Sequence, residues 1–228
     1  MLNNRLLLRT ARSSSRGGFT LVELLVVIGI IAILAGVALG PITNGIKQAK
    51  HNTSMQTARQ IGTILFSYAT DNNSTYPFGA KSENIASTLI SSNYCSDPGL
   101  FLVNDQIGRN SVTGPGTVTV TAGVTTVTMA AANISWNFVC IDATHGVTSS
   151  ASDLLPLVYF SGGTALTYAG TTGAKDLVLQ PACPYGTDGV AVFYKGNNAS
   201  YMKATSGTVT AFVNAAYADS STYTEIVP

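Results

Sequence analysis

The chain has 228 residues and a mass of 23.6 kDa, enough for one domain of ordinary size with appendages and too few for two large domains. Only 10% of the residues are charged and 46% are hydrophobic, so the composition excludes a disordered, highly charged chain. From residue 71 onward, five basic residues stand against ten acidic ones, a net charge of −5 that argues against nucleic-acid binding by charge.

The N-terminal end combines a basic leader with a long apolar run. The first eighteen residues contain no acidic residue and four arginines: Arg5, Arg9, Arg12 and Arg16. Residues 19–39 are apolar except for a few positions, of which Thr20 and Glu23 are strongly polar. As a helix this run is about 31 Å long, the hydrocarbon thickness of a bilayer. The positive-inside rule then predicts a cytoplasmic N-terminus, with the residues after 39 on the outer side.

Charge and hydropathy alone leave three interpretations of this segment: a plain membrane anchor, a secretory signal peptide and a prepilin-type segment. Residues 36–38 resemble a small-residue signal cleavage site, but the apolar run is longer than the core of a typical signal peptide. Glu23 separates the alternatives, because a carboxylate inside a membrane span costs on the order of 2.5–3.5 kcal/mol and needs a partner. No basic residue follows it before Lys47.

Residues 16–25, with the sequence RGGFTLVELL, resemble the processing site of type IV pilins and of type II secretion pseudopilins. The resemblance implies that a prepilin peptidase cuts between Gly18 and Phe19 and that the new amine of Phe19 is methylated. It also implies that Glu23 pairs with the terminal amine of a neighbouring copy during assembly. Residues 60–77 are similar to the helix end of pseudopilins related to the major subunit of the type II secretion system.

The function that this resemblance implies is that of a structural subunit of a pseudopilus or pilus, a substrate of enzymes rather than an enzyme. Its implied partners are copies of itself, the prepilin peptidase, and an inner-membrane assembly platform with its ATPase. The implied location is the bacterial inner membrane, spanned once, and then a periplasmic or cell-surface filament. The alternatives are a minor pilin with an adhesive or ligand-binding head, and a competence pilin that contacts DNA.

After the apolar run, Gly40 and Pro41 are predicted to break or kink the helix, because proline lacks the backbone N–H. The family usually has its proline one position earlier. Apolar residues at three- and four-residue steps then predict an amphipathic helix up to about residue 70, and Asp71 to Thr75 end it. The predicted organisation is a leader at 1–18, a helix at 19–70 (membrane span 19–39, amphipathic part 42–70) and a β-rich head at 71–228.

The head is predicted to contain one short helix and several strands. Ser82 to Asn93 reads as a helix with Ser82 as its N-cap. Thr117 to Met129 alternates threonine and valine on both sides of Ala122-Gly123, which predicts a hairpin. An antiparallel sheet packed on the long helix, in the α+β class, is the predicted fold. Further strands are predicted at 134–141, 157–160, 176–179, 189–194, 200–204 and 208–213.

Three cysteines, Cys95, Cys140 and Cys183, would lie on the oxidising side of the membrane. Cys140 and Cys183 are the predicted disulfide pair, and buried free thiols are the alternative. The spacing of the three cysteines does not suggest a zinc site.

The remaining polar residues form no recognisable catalytic, nucleotide or metal motif, so neither catalysis nor a cofactor is expected. His51 and His145 are interpreted as ordinary surface residues. A calcium ion at the turn of residues 71–73, or near Asp219 and Glu225, would lack the ligand pattern of a known calcium loop. No metal site is therefore predicted.

Overall fold

The computed structural model describes residues 18–103, 115–121, 124–162, 167–169, 175–181, 183–213 and 223–226. The arginines of the predicted leader lie outside these ranges. A long helix followed by antiparallel strands confirms the predicted α+β class. The elements are helices α1 (Leu21–Asp71) and α2 (Ser82–Ser91) and strands β1 (Thr117–Thr121), β2 (Val124–Thr128), β3 (Trp136–Cys140), β4 (Pro156–Phe160), β5 (Thr167–Ala169), β6 (Lys175–Val178), β7 (Gly189–Tyr194), β8 (Asn198–Lys203), β9 (Thr208–Val213) and β10 (Thr224–Ile226).

The predicted antiparallel pairing is confirmed, and the strands of the described residues are divided among three sheets. The largest has five strands in the order β10-β3-β4-β7-β8, a second has the order β5-β6-β9, and β1 and β2 form a separate hairpin. All five residues of β3 and of β4 are buried, so both faces of the largest sheet are covered at these strands. This explains why β4 reads as a continuous apolar run, and why β3 does so except at Asn137.

Contacts divide the chain into two compact units, Met1–Lys47 and Gln48–Pro228, and the boundary falls inside α1. In the first unit, every described residue is exposed, including the whole apolar run. In the second unit, α1 buries one face, at Ser54, Ala58, Ile61, Gly62, Leu65 and Ala69. The C-terminal part of α1 therefore belongs to the same folded unit as the sheets of the predicted head.

The buried face of α1 reaches the largest sheet by a close approach at Gly62. A Cβ atom added at Gly62 would lie 2.2 Å from two ring carbons of Phe193 on β7. Ile61 and Leu65, on either side of this contact, are buried in the same hydrophobic core. The absence of a side chain at Gly62 thus sets how near this turn of the helix lies to the sheet.

The end of α1 is fixed by left-handed residues and by pairing with a later segment. Asn73 and Ser74 have positive φ values of 52° and 59°, and the Ser74 N–H donates to the Ala69 carbonyl at 2.8 Å, so the turn predicted here is confirmed. The Tyr76 N–H then donates to the Val147 carbonyl at 2.8 Å. A Cβ at Gly146 would lie 1.9 Å from the Tyr76 carbonyl oxygen, so this backbone approach requires glycine.

The break predicted at Gly40 and Pro41 does not occur in the structure, where α1 continues through both residues. Proline removes one N–H donor from the helix. The Thr43 hydroxyl donates to the Gly40 carbonyl at 2.9 Å, which adds a hydrogen bond beside the gap. A single missing bond leaves the turns on both sides intact.

The start of α2 also differs from the prediction. The N-cap is Lys81, without a side-chain cap, and Ser82 is the first helical residue and fully buried. The N–H groups of Asn84 and Ile85 both donate to the Lys81 carbonyl, which places the helix start one residue earlier. By contrast, the predicted threonine-valine hairpin is confirmed as β1 and β2, paired from Thr117 with Thr128 to Thr121 with Val124.

Replacing Gly62 with alanine should destabilise the folded unit by about 1–3 kcal/mol, because the added methyl overlaps the Phe193 ring inside a packed core. The measurement is the free energy of unfolding of the full chain in detergent by denaturant titration. Gly45→Ala is the matched control, since Gly45 is also helical but has open space around it. That variant should be neutral or slightly stabilising, and equal losses for both variants would contradict the contact argument.

Candidate processing and assembly site

The predicted cleavage site lies immediately before α1. Gly18, Phe19 and Thr20 are non-helical and exposed, and the Phe19 side chain is 85% exposed. The helix begins at Leu21. The Gly18–Phe19 bond is therefore outside the helix, where a peptidase can reach the backbone.

Thr20 and Glu23 form a reciprocal capping box at the start of α1. The Thr20 N–H and the Thr20 hydroxyl both donate to Glu23 Oε2 at 2.9 Å, and the Glu23 N–H donates to Thr20 Oγ1 at 3.2 Å. The sequence Thr-x-x-Glu before an apolar run is the standard signature of this motif. Sequence reasoning treated Glu23 only as a charge that needs a cation, and so missed Thr20 as its partner within the chain.

The helix that follows the capping box is apolar on all sides. α1 is long and apolar enough to cross a membrane, and its most apolar part has no buried residue. The large apolar side chains from Leu21 to Leu39 are 46–84% exposed. A helix that is apolar all round requires lipid or other apolar helices as its surroundings.

The predicted disulfide between Cys140 and Cys183 is not formed in the structure, where all three cysteines are buried. The Cys140 thiol donates to the Pro77 carbonyl at 3.6 Å, and Cys183 Sγ accepts the Gln180 N–H at 3.4 Å. Both sulfurs are thus engaged by backbone groups, Cys140 with a residue far away in sequence and Cys183 with a residue three positions before it. Burial raises the pKa of the Cys140 thiol to about 12, which suppresses the reactive thiolate form.

His145 belongs to a small exposed cluster with Asp142 and Thr144. The Asp142 carboxylate accepts the Thr144 N–H and hydroxyl at 2.7 Å, and His145 Nδ1 lies 2.7 Å from Asp142 Oδ2. The Thr144 hydroxyl also meets His145 through the same Nδ1 atom, at 3.0 Å. A catalytic triad needs the hydroxyl and the carboxylate on opposite ring nitrogens, so this geometry is not a triad.

His51 is not an ordinary surface residue, because its ring packs between two tyrosines. It stacks on Tyr201 with ring centroids 4.0 Å apart and meets the edge of Tyr185 at 4.4 Å. The Tyr185 hydroxyl donates to the Lys50 carbonyl at 3.1 Å and hydrogen bonds with the Ser54 hydroxyl. These contacts fasten the first turns of α1 inside the second unit.

The turn considered for calcium has its side chains engaged within the protein. Asp71 accepts a hydrogen bond from the Tyr94 hydroxyl at 2.9 Å, and the Asn72 amide donates to the Tyr68 carbonyl at 2.8 Å. Asp219 lies outside the described residues. Within the described ranges, no three His, Cys, Asp or Glu side chains come together as a metal site would require.

A family model described as the prokaryotic N-terminal methylation motif matches residues 13–39. This motif is the signature of type IV pilins and pseudopilins, and the matched range contains the Gly18–Phe19 bond, the capping box and the apolar run. The chain therefore has a type IV pilin-like precursor segment, which fits insertion into a membrane. No curated protein and no solved structure matches the chain.

Unfolding the protein without a reductant should make all three cysteines available for alkylation, because none forms a disulfide in the structure. In the folded state, Cys140 should react slowest, since burial raises the pKa of its thiol to about 12. The measurement is the number of labels by mass spectrometry before and after unfolding. A loss of two labels, restored by a reductant, would instead indicate a disulfide.

The Asp142 carboxyl should titrate with a pKa of about 2, lowered from the ordinary 3.8 first by the Thr144 hydroxyl and N–H and then by His145. Because this pKa is lowered on folding, the stabilisation is present above about pH 4 and is lost as the pH falls towards 2. Thr144→Val should raise the pKa towards 3.8 in a carboxyl NMR titration. Thr148→Val removes a hydroxyl that hydrogen bonds with Ser150 instead, and it should leave this pKa unchanged.

Proposed function

We propose that this protein is a structural subunit of a type II secretion pseudopilus or a type IV pilus. The precursor inserts in the inner membrane, a prepilin peptidase cuts it after Gly18, and Phe19 becomes the N-methylated terminus. The mature chain then polymerises through α1. The observation that carries this proposal is the match to the methylation motif at residues 13–39, a range that contains the exposed Gly18–Phe19 bond and the exposed apolar start of α1.

The chemistry of cleavage fits the position of Glu23. Cutting before Phe19 keeps the whole apolar run on the mature chain and creates an ammonium four residues from the carboxylate. In the uncut chain the carboxylate already has two donors from Thr20, which lowers the cost of holding it in lipid. These donors carry no charge, so a neighbouring terminal amine can still add an opposite charge when the helices pack together.

Polymerisation also fits the exposure of α1. The apolar side chains from Leu21 to Leu39 can leave lipid for contact with the same surface of other copies, without passing through water. Under this proposal the protein is a substrate of its processing enzymes and catalyses nothing itself. Its partners are other copies, the peptidase, and a membrane assembly platform with its ATPase.

Intact mass measurement tests the proposal directly. Full-length precursor is produced together with a prepilin peptidase and extracted from membranes, and its intact mass is measured by mass spectrometry. We expect a species that lacks residues 1–18 and carries one added methyl group on Phe19. Full-length protein that remains uncut, or a chain that starts near Leu39 as after signal peptidase cleavage, would contradict the proposal. The share of this subunit in purified filaments then measures whether it is the major subunit or a minor one.

Replacing Glu23 with glutamine should separate processing from assembly. Glutamine keeps the hydrogen-bond acceptor of the capping box and removes only the charge. The variant should be inserted and cut but should yield several-fold fewer sedimentable filaments, because the terminal amine loses its opposite charge. Asp71→Asn removes one charge from the other end of α1 and is the control, expected to assemble normally. Wild-type filament yields from Glu23→Gln would contradict the charge-pairing argument.

A further inference from the structure

We infer that the Thr20 hydroxyl is a positioning group for leader removal. It prevents the helix from extending towards the N-terminus beyond Leu21, and so keeps the Gly18–Phe19 bond in a non-helical, accessible backbone. This inference rests on the proposed function, because it assumes that a prepilin peptidase acts at this bond. It adds a residue outside the scissile bond that controls how readily the bond is presented.

The backbone N–H of Glu23 has two competing acceptors, the Thr20 hydroxyl and the Phe19 carbonyl. In the structure the Glu23 N–H donates to Thr20 Oγ1 at 3.2 Å, and the first intrahelical bond runs from the Leu24 N–H to the Thr20 carbonyl. A helix beginning at Phe19, two residues longer, would instead pair the Glu23 N–H with the Phe19 carbonyl and the Val22 N–H with the Gly18 carbonyl. The threonine hydroxyl therefore occupies the donor that would draw Phe19 into the helix.

The residues before Thr20 do not prevent such an extension by themselves. Phe19 is an ordinary helical residue, and Gly18 is a tolerated N-cap, almost as good as threonine. A helix beginning at Phe19 with Gly18 as its cap is thus a close competitor of the observed start. In that helix the scissile bond would join the N-cap to the first helical residue, and its backbone would no longer be open.

The Glu23 carboxylate strengthens this arrangement but is not the group that stops the helix. It accepts both Thr20 donors on Oε2, which holds the Thr20 side chain in the capping rotamer. The competing N–H belongs to the backbone of Glu23 and is present whatever its side chain. Changes at Thr20 should therefore affect processing, whereas loss of charge at Glu23 should affect assembly.

The size of the effect follows from the strength of a helix cap. Proteolysis of a segment tracks the population of its open form when opening and closing are fast. Loss of a threonine cap shifts the ratio of open to helical forms by about fivefold, the fold-change of a typical N-cap substitution. Thr20→Val keeps the shape of the side chain and removes the hydroxyl. Because the wild type is mostly open, the rate of leader removal should fall by about twofold or more, with fivefold as the upper bound, through KM rather than kcat.

The test uses full-length precursor in membrane vesicles with a prepilin peptidase, and measures initial rates of leader removal. Thr20→Ser retains the hydroxyl and should be cut at the wild-type rate. Thr43→Val removes a hydroxyl from the same helix, far from the bond, and should also be cut at the wild-type rate. Backbone NMR shifts of Phe19 in detergent provide the second readout: helical in Thr20→Val, and extended in the wild type and in Thr20→Ser.

The outcomes separate the inference from its assumption. Slow cutting of Thr20→Val with a helical Phe19 and rescue by serine would support it. Cutting of Thr20→Val at the wild-type rate would overturn it. Slow cutting with an unchanged Phe19 would also overturn it, because the peptidase would then be sensing the hydroxyl directly. An uncut wild-type chain would instead refute the proposed function.

Discussion

The apolar surface of α1 before Gly40 is not buried by the described part of its own chain. This exposure determines which surroundings the helix requires and which partners its polar residues need. Its aliphatic side chains stand exposed on every side of the helix. The hydrophobic effect assigns such a surface to lipid or to similar helices. Each polar group near it then needs a partner supplied locally or by another molecule, which is the situation of Glu23.

Local hydrogen bonding and assembly make different demands on Glu23. Within one chain, the carboxylate closes the capping box with Thr20 and neutral donors satisfy it. In a bundle of helices, a charged partner would be stronger, because opposite charges attract more in a low dielectric. The Glu23 carboxylate can thus be held in the membrane by neutral donors and still be stabilised further by a positive charge from another copy.

Local sequence patterns predicted the individual helices and strands better than they predicted how the strands pair. Periodicity and turn residues predict the long helix and its end after Asp71. They also predict the threonine-valine hairpin and strands β7 and β9. They do not predict the division into three sheets, because strand partners far apart in sequence leave no local signal. β5 and β10 have three residues each, too few to show any alternation.

At the candidate site, the Gly-Phe junction and Glu23 were readable from the sequence, and Thr20 was readable but was assigned no partner. The predicted N-cap at Ser82 was wrong because a serine at the start of a helix is compatible with two start positions, and in the structure the first helical N–H groups donate to the Lys81 carbonyl. Nothing in the sequence marks Gly62 as special. Its role depends on the Phe193 ring, 131 residues away along the chain.

The missing donor at Pro41 has a mechanical consequence. A helix under axial tension yields first where a backbone hydrogen bond is already absent, and the carbonyl one turn before Pro41 has no N–H to hold it. For each residue that unwinds there, the length of chain per residue rises from about 1.5 Å in the helix to about 3.3 Å when extended. If the subunits polymerise as proposed, a filament under tension would lengthen at this turn before any folded unit was pulled open.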